Sequence, residues 1–233
     1  MSRHIAVVIP SYNEARTIGD IVKRLNGREF TVYVVDDGSS DDTSEKAKAQ
    51  GAVVIKNSKN MGKGGALRVG FKRILDDGFE AVLIMDGDDQ HDVTDIAHLI
   101  MKLRETHADM VIGNRMHDTA RMPFVRIAVN HFMSWLISVV SGQYVPDTQC
   151  GFRLIKSEVL LNTHLESKNY EIESEMIVKA ARAGFKIEST PIKTVYQDEV
   201  SRIHPVIDTF RFIRLMIKLA FDRTPKRAKE QNA

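Results

Sequence analysis

The chain has 233 residues, 43% of them hydrophobic and 27% charged, which is enough apolar material for one packed α/β domain in water. Its formal net charge of +2 is too small to argue for nucleic acid, and its single cysteine, Cys150, excludes an intrachain disulfide and fits a reducing compartment. The N-terminal apolar run, IAVVI, is too short for a signal peptide, and no uninterrupted apolar stretch of about 18 residues predicts a transmembrane helix.

In chain order, HIAVVI (4–9), TVYVVD (31–36), AVVI (52–55), AVLIMD (81–86) and DMVIGN (109–114) read as strands. EARTIGDIVKRLN, DDTSEKAKAQ, GKGGALRVGFKRILDD and DVTDIAHLIMKLRETH, lying between them, read as helices with an apolar stripe. Near-continuous apolar strands alternating with helices predict a mostly parallel sheet with helices on both faces. Right-handed crossovers then bring the strand C-termini to one edge, where open α/β sheets bind ligands. PSYNE, DDGSSDD, KNSKNMGKGG, DGDDQHD and GNR all fall at that edge.

The pattern changes after about residue 120. Residues 123–140 predict a long apolar helix interrupted by Arg126, Asn130 and His131. A turn (SGQYVPD), a short run (QCGFRLIK), a helix (EIESEMIVKAARAG) and a strand (FKIESTPIKTVY) follow. From about Pro205 a C-terminal amphipathic helix carries Arg211, Arg214 and Lys218 as a basic stripe beside a wide apolar face, the pattern of an interfacial membrane helix or, alternatively, of a core helix and a homodimer face. There is no internal repeat and no linker, so residues 1–223 form one domain, with a polar tail at 224–233.

The acidic burst after AVLIM carries the chemistry. A turn and a helix N-terminus account for Asp92 and Asp95 but not for Asp86, which ends a buried run and needs a cation. Asp86 and Asp88 can reach one metal, and hard oxygen ligands with open positions suit Mg²⁺ or Mn²⁺ on a diphosphate. In DDGSSDDT, Asp36 or Asp37 is a candidate acceptor for a nucleobase or ribose, while Asp42 or Thr43 caps the next helix. In PSYNE, Pro10 ends a strand and Asn13 caps a helix. NMGKGGA lacks the spacing of a P-loop but puts Lys63 near a nucleotide. Arg115, directly after a strand at the ligand edge, is a candidate phosphate contact, as are Arg126, Arg153, Lys168 and Arg202. His91, His131 and His204 are not spaced as helix-borne zinc ligands and read as structural, as does Cys150 beside Phe152.

VVIPSYNEARTI, VVDDGSSDDT, KNMGKGGALRVGF, LIMDGDDQHD and DTQCGFRLIK together resemble, in order and spacing, the family 2 glycosyltransferases. The branch most like them is the polyprenyl-phosphate (dolichyl-phosphate) mannosyl- and glucosyltransferases, over about residues 4–215. The resemblance implies a GT-A fold, with a donor half to about residue 115 and an acceptor half at about 116–223. It makes Asp86-Gly87-Asp88 the DXD motif, with Asp86, Asp88 and Gln90 holding the metal on the diphosphate. Pro10, Tyr12, Glu14, Asp36 and Asp37 would line the nucleoside pocket, and Arg115 and Arg202 would contact phosphates. Asp89 and Asp92 stand where the branch often has Leu or Met and Pro; the ligand pair itself is intact.

The function implied is inverting transfer of mannose or glucose from GDP-mannose or UDP-glucose to a polyprenyl phosphate, by a peripheral enzyme on the cytoplasmic leaflet. A lipid phosphate is mostly dianionic at neutral pH and needs no base, only positive charge to hold it. The alternatives are a soluble or glycan hydroxyl acceptor, with Asp147 as base, and a non-enzymatic nucleotide-binding protein.

Overall fold

A computed structural model of the chain describes residues 4–28, 30–120, 122–193 and a helix at 205–221, with side chains in that helix over 211–219. Arg202, His204, the tail and the strand expected beyond residue 193 lie outside the described residues.

Five apolar runs form the strands their composition predicts: β1 (Ile5–Ser11), β2 (Thr31–Asp36), β3 (Val53–Lys56), β4 (Ala81–Ile84) and β5 (Met110–Asn114). They are joined by β6 (Arg153–Lys156) and β7 (Ile187–Pro191) in one seven-stranded sheet of order β3-β2-β1-β4-β6-β5-β7. Ala6, Val7, Val8 and Ile9 are all fully buried, so both faces of the sheet are covered, as a continuous apolar strand requires.

The helices are α1 (Ile18–Asn26), α2 (Thr43–Ala49), α3 (Lys63–Asp76), α4 (Ile96–Glu105), α5 (Phe124–Ser141), α6 (Ser157–Asn162), α7 (Ile172–Arg182) and α8 (Pro205–Phe221). In α1 the buried residues are Ile18, Ile21, Val22 and Leu25, one face at helical spacing. Each such side chain contributes about 1.5–3 kcal/mol of burial free energy. Gly70 of α3 lies so close to the sheet that a Cβ there would overlap Val8 and press on Val35.

Three local expectations change. Asn13 is not a helix cap: it takes a positive φ of 55°, and α1 starts four residues past Glu14 with Thr17 before it. Pro10 does not end β1, which continues through Ser11 paired to Asp36. Asp42 precedes α2 without a side-chain cap bond. Asp92 does cap the short turn Val93–Asp95, accepting the Thr94 N–H at 2.8 Å.

β6 is the one strand that runs against its neighbours. Ile84 pairs with Arg153 and Ala81 with Lys156, while on the other side Ile112 pairs with the same Arg153. The start of β6 therefore lies at the edge where the parallel strands end. That places residues 147–152 in the ligand crevice.

The apolar face of α8 is not free. Phe212, Leu215, Met216 and Leu219 are buried, and the helix packs on α5 and α7, which leaves Ile213, Ile217 and the three basic residues outside. By contrast α5 is long and apolar enough to cross a membrane by length and composition alone, with a mean hydropathy of 1.4 and 17% of it buried. Arg126, Asn130 and His131 break its apolar run, so no uninterrupted stretch marks it in the sequence.

Candidate active site at the strand ends

Three loops are tied to one another before any ligand is considered. Asn13 donates its N–H to Ser39 and accepts the Ser40 N–H, both at 2.9 Å. Glu14 N–H donates to Thr43 Oγ1 at 2.9 Å and Ala15 N–H to Asp41 at 3.1 Å. The loop after β1 is thus zipped to the loop after β2. Asp37 carries the link onward: it accepts Asn57 Nδ2 at 2.8 Å, the Met61 N–H at 2.9 Å and the Gly62 N–H at 2.8 Å.

The two carboxylates expected at the nucleoside wall both have partners within the protein. Asp36 is fully buried, accepts the Ser39 N–H at 2.8 Å and the Ser44 hydroxyl, and lies 3.7 Å from Lys56. Burial pushes its carboxyl up, but the serine hydrogen bonds and Lys56 bring it below the ordinary value. Asp36 faces its own loop and Asp37 the loop after β3, and together they brace the crevice wall. Tyr12 is exposed, and Pro10 and Glu14 half-buried, along the same edge.

The glycines of NMGKGGA have an internal reason. A Cβ on Gly62 or Gly64 would overlap the backbone of residues 167–168, and the Gly65 N–H donates to Lys168 O at 3.0 Å. The segment from the second half of the chain sits directly on the first turn of α3. The first turn fixes Lys63, whose Nζ is 2.6 Å from Asp86 Oδ1 and 2.7 Å from Glu173 Oε1.

Asp86 is the half-buried corner that its place after AVLIM required. Its carboxylate fills the space a side chain at Gly151 would need. Burial pushes its carboxyl up, but Lys63, His91 and Arg115 bring it below the ordinary carboxylate value. Burial would lower Lys63; Asp86 and Glu173 instead raise it, so the pair is ionised. The turn beyond is tight: Asp89 has φ 60° and pairs with Arg24, and Asp88 Oδ1 accepts the Gln90 N–H at 3.1 Å. Gly87 is closely covered, since a Cβ there would lie 3.0 Å from Ser11 Oγ and 3.3 Å from Glu14 Cγ.

Among the described residues no three His, Cys, Asp or Glu side chains are arranged to hold a metal ion. Asp86 and Asp88 are two carboxylates, and Gln90 is tied to Asp88 through its backbone N–H. Such an oxygen set fits a divalent cation that completes its shell with phosphate and water. The half-buried Asp86 carboxylate, whose ion pair among the described residues is with Lys63, supports that fit.

Arg115 and Asp147 stand next to this corner. Arg115 Nε is 2.8 Å from Asp147 Oδ2 and Nη2 2.9 Å from Oδ1, and both residues are buried. Nη1 makes no hydrogen bond among the described residues. Asp147 is therefore an orienting partner and not an exposed base.

Arg153 is a correction. Its side chain is fully buried and donates to Cys150 O at 2.8 Å, Glu173 O at 2.7 Å and Thr148 O at 2.9 Å. It organises the crevice floor and has no face for an acceptor phosphate. Arg126 and Lys168 are exposed, at the start of α5 and on the loop against α3. His91 is buried and stacked on Phe152 with centroids 4.9 Å apart, and burial pushes it down to about 4. Cys150 is buried and pushed up to about 12.

The residue that sequence reasoning missed is Glu173. Its position one turn before Met176, Ile177 and Ala180 put it on the buried face of α7, which was the available signal. A separate cavity of about 430 Å³, lined by Trp135, Val139, Tyr144 and Val145, lies at the far end of α5. Its lining residue Gln143 bonds Phe185 O and the Ile187 N–H, at the opposite strand ends.

The sequence profile described as Glycosyl transferase family 2 matches residues 6–161. The chain is 30% identical over 217 residues to a UDP-N-acetylglucosamine–dolichyl-phosphate N-acetylglucosaminyltransferase of Methanococcus voltae, covering 83% of this chain and 86% of that one. It is also 30% identical over 207 residues to an undecaprenyl-phosphate mannosyltransferase of Micrococcus luteus, covering 83% and 84%. Its fold is similar to glucosyl-3-phosphoglycerate synthase of Mycobacterium tuberculosis, crystallised with Mn²⁺, UDP and phosphoglyceric acid, with a TM-score of 0.69 and 19% identity over 93% of this chain and 77% of that one.

Proposed function

The chain belongs to glycosyl transferase family 2 and has the GT-A fold, and from that premise we propose that it moves a hexose from a nucleoside-diphosphate sugar to a polyprenyl phosphate, with inversion. Two relatives named for transfer to dolichyl and undecaprenyl phosphate support the acceptor class. They carry different sugars, so mannose, glucose and N-acetylglucosamine are all donors to test.

The observation that carries the reading is the burial of Asp147 under Arg115. The carboxylate placed to deprotonate a hydroxyl acceptor is already committed. A phosphate monoester, mostly dianionic at neutral pH, needs no base. One of its oxygens forms the new bond to the anomeric carbon as the bond to the nucleoside diphosphate breaks, and the electron pair leaves with the diphosphate. Arg115, held by Asp147, presents a guanidinium to the incoming phosphate; Lys168 and Arg126 lie on the acceptor side, and Arg202 is assigned there by its motif. Asp86, Asp88 and Gln90 would hold Mg²⁺ or Mn²⁺, which supplies Lewis-acid neutralisation of the leaving diphosphate. Pro10, Tyr12 and Glu14 form the wall for the nucleoside.

In this reading the enzyme lies on the cytoplasmic face of a membrane, in keeping with one buried thiol and no disulfide. The outer face of α5 supplies the contact: Phe124, Val125, Phe132, Trp135 and Val139 are each 60–81% exposed, and the helix has no acidic residue. Its inner face bonds the protein through Ser134 to Thr148 and Ser138 to Val145, which favours a helix lying on the surface over one crossing it.

The test uses purified protein, Mn²⁺, a short polyprenyl phosphate and labelled GDP-mannose, UDP-glucose or UDP-N-acetylglucosamine. The expected result is label in the organic phase from one donor, abolished by EDTA. Metal-dependent release of nucleoside diphosphate without lipid label would overturn the acceptor and keep the donor site.

A further inference from the structure

Lys63 is shared between two carboxylates that come from distant parts of the chain. Its Nζ touches Asp86 at 2.6 Å and Glu173 at 2.7 Å, with the Tyr170 ring centroid 5.8 Å away. Glu173 Oε1 is buried and has no partner besides Lys63 among the described residues. The second oxygen of Glu173 is 3.8 Å from the buried Arg153. The other cation near Asp86, Arg115, is bound to Asp147. Lys63 is therefore the counterion of Asp86 in the resting protein.

We propose that Lys63 is an exchangeable counterion, seated on Glu173, that makes divalent-metal capture at Asp86 conditional on an incoming diphosphate. The proposal rests on the reading of Asp86 and Asp88 as the metal–diphosphate corner. A bare dication approaching Asp86 meets an ammonium already in contact with that carboxylate. In a half-buried site that repulsion is poorly screened. A diphosphate brings negative charge of its own and gives the ammonium a new partner. Glu173 keeps the ammonium seated while it turns from Asp86, so the exchange never leaves a lone buried charge. Lys63 acts through Asp86 and is a positioning residue. By linkage, the factor by which diphosphate tightens metal equals the factor by which metal tightens diphosphate.

The test is a Mn²⁺ titration of the full chain, read from the free-ion EPR signal, alone and with saturating UDP or GDP. Wild type is expected to bind Mn²⁺ weakly alone and about 100-fold more tightly with one nucleotide. In Lys63→Met, Mn²⁺ alone should bind more tightly and the nucleotide effect should shrink at least about tenfold. In Glu173→Gln the ammonium loses its second seat and holds Asp86 harder, so Mn²⁺ alone should bind more weakly. A merely structural loss would weaken both variants together. Lys63→Arg keeps the charge and should retain the nucleotide effect, which covers the case in which Lys63→Met does not fold. An unchanged or weaker Mn²⁺ affinity in folded Lys63→Met, or loss of the nucleotide effect in folded Lys63→Arg, overturns the counterion role alone. A wild-type protein that binds no Mn²⁺ with either nucleotide overturns the metal–diphosphate corner as well.

Discussion

Asp147 takes Arg115 in both hands: Oδ2 accepts Nε at 2.8 Å, Oδ1 accepts Nη2 at 2.9 Å, and Oδ2 also accepts the Arg115 backbone N–H at 3.1 Å. Burial pushes the Asp147 carboxyl up, and Arg115 brings it below its ordinary value. The guanidinium is thereby fixed in angle as well as place.

Removing one member of such a pair strands the other. Asp147→Ala is expected to cost about 3–5 kcal/mol, read as a lowered urea midpoint, because the Arg115 charge stays buried without its partner. Arg115→Lys keeps a charge but loses the fork. Transfer to lipid phosphate should fall about 100-fold in kcat, with metal-dependent nucleotide binding retained. Equal losses in both readouts would contradict an acceptor-side role.

Two glycines should fail differently. Gly64→Ala drives its methyl into the backbone carbonyl of Ser167, which cannot swing aside, and should destabilise by about 1–3 kcal/mol in urea. Gly151→Ala pushes instead on the Asp86 carboxylate and on Lys63 Nζ, 3.1 Å from the new methyl. That variant should lose Mn²⁺-dependent nucleotide binding while melting close to wild type. A Gly151→Ala protein with unaltered Mn²⁺ affinity would show that Asp86 is no part of the metal corner.

The pH profile has a sign. The His91 imidazole has an ordinary pKa of 6.5 and is held down to about 4 by burial in the folded chain. Between those values the unfolded chain binds the extra proton, so stability falls as pH drops, by at most on the order of 3 kcal/mol. His91→Phe, which can keep the stack on Phe152, should flatten thermal stability across that window. The loss below it, where Asp86 takes a proton, should remain in His91→Phe, because the Asp86 carboxyl is held below 3.8.

The outer face of α5 gives a membrane prediction. Phe132→Ser with Trp135→Ser removes two exposed rings whose centroids are 6.1 Å apart. Co-sedimentation with anionic vesicles should drop about tenfold or more. Stability should stay within about 0.5 kcal/mol, since neither ring is packed in the core. Unchanged vesicle binding would remove α5 from the membrane contact.

Much of this site was legible in the sequence for a simple reason. An apolar run that ends in a carboxylate must bring that carboxylate to a sheet edge, and TVYVVD and AVLIMD both did so. The runs carry no direction, however, and nothing in QCGFRLIK distinguishes a parallel from an antiparallel strand. Arg153 therefore reads as a phosphate contact in the sequence, whereas the reversed β6 draws it inside. Asp36 and Asp37 read as ligand contacts from their loops alone, and the partners that brace Asp37, such as the Met61 and Gly62 amides, lie far off in the chain and had no local signal. Glu173 was hidden because a charged residue on an apolar helix face is normally taken for an exception, until its partner Lys63 is seen.

The reversed strand has a consequence for how the chain is made. β4 and β5 are separated in the sheet by β6, which is synthesised after both, with the whole of α5 in between. As the chain leaves the ribosome, the inner edges of β4 and β5 wait unpaired until residue 156 emerges. A fragment ending near residue 115 would present those open edges permanently, and would be caught by aggregation or by chaperones before it could serve as a free-standing nucleotide-binding unit.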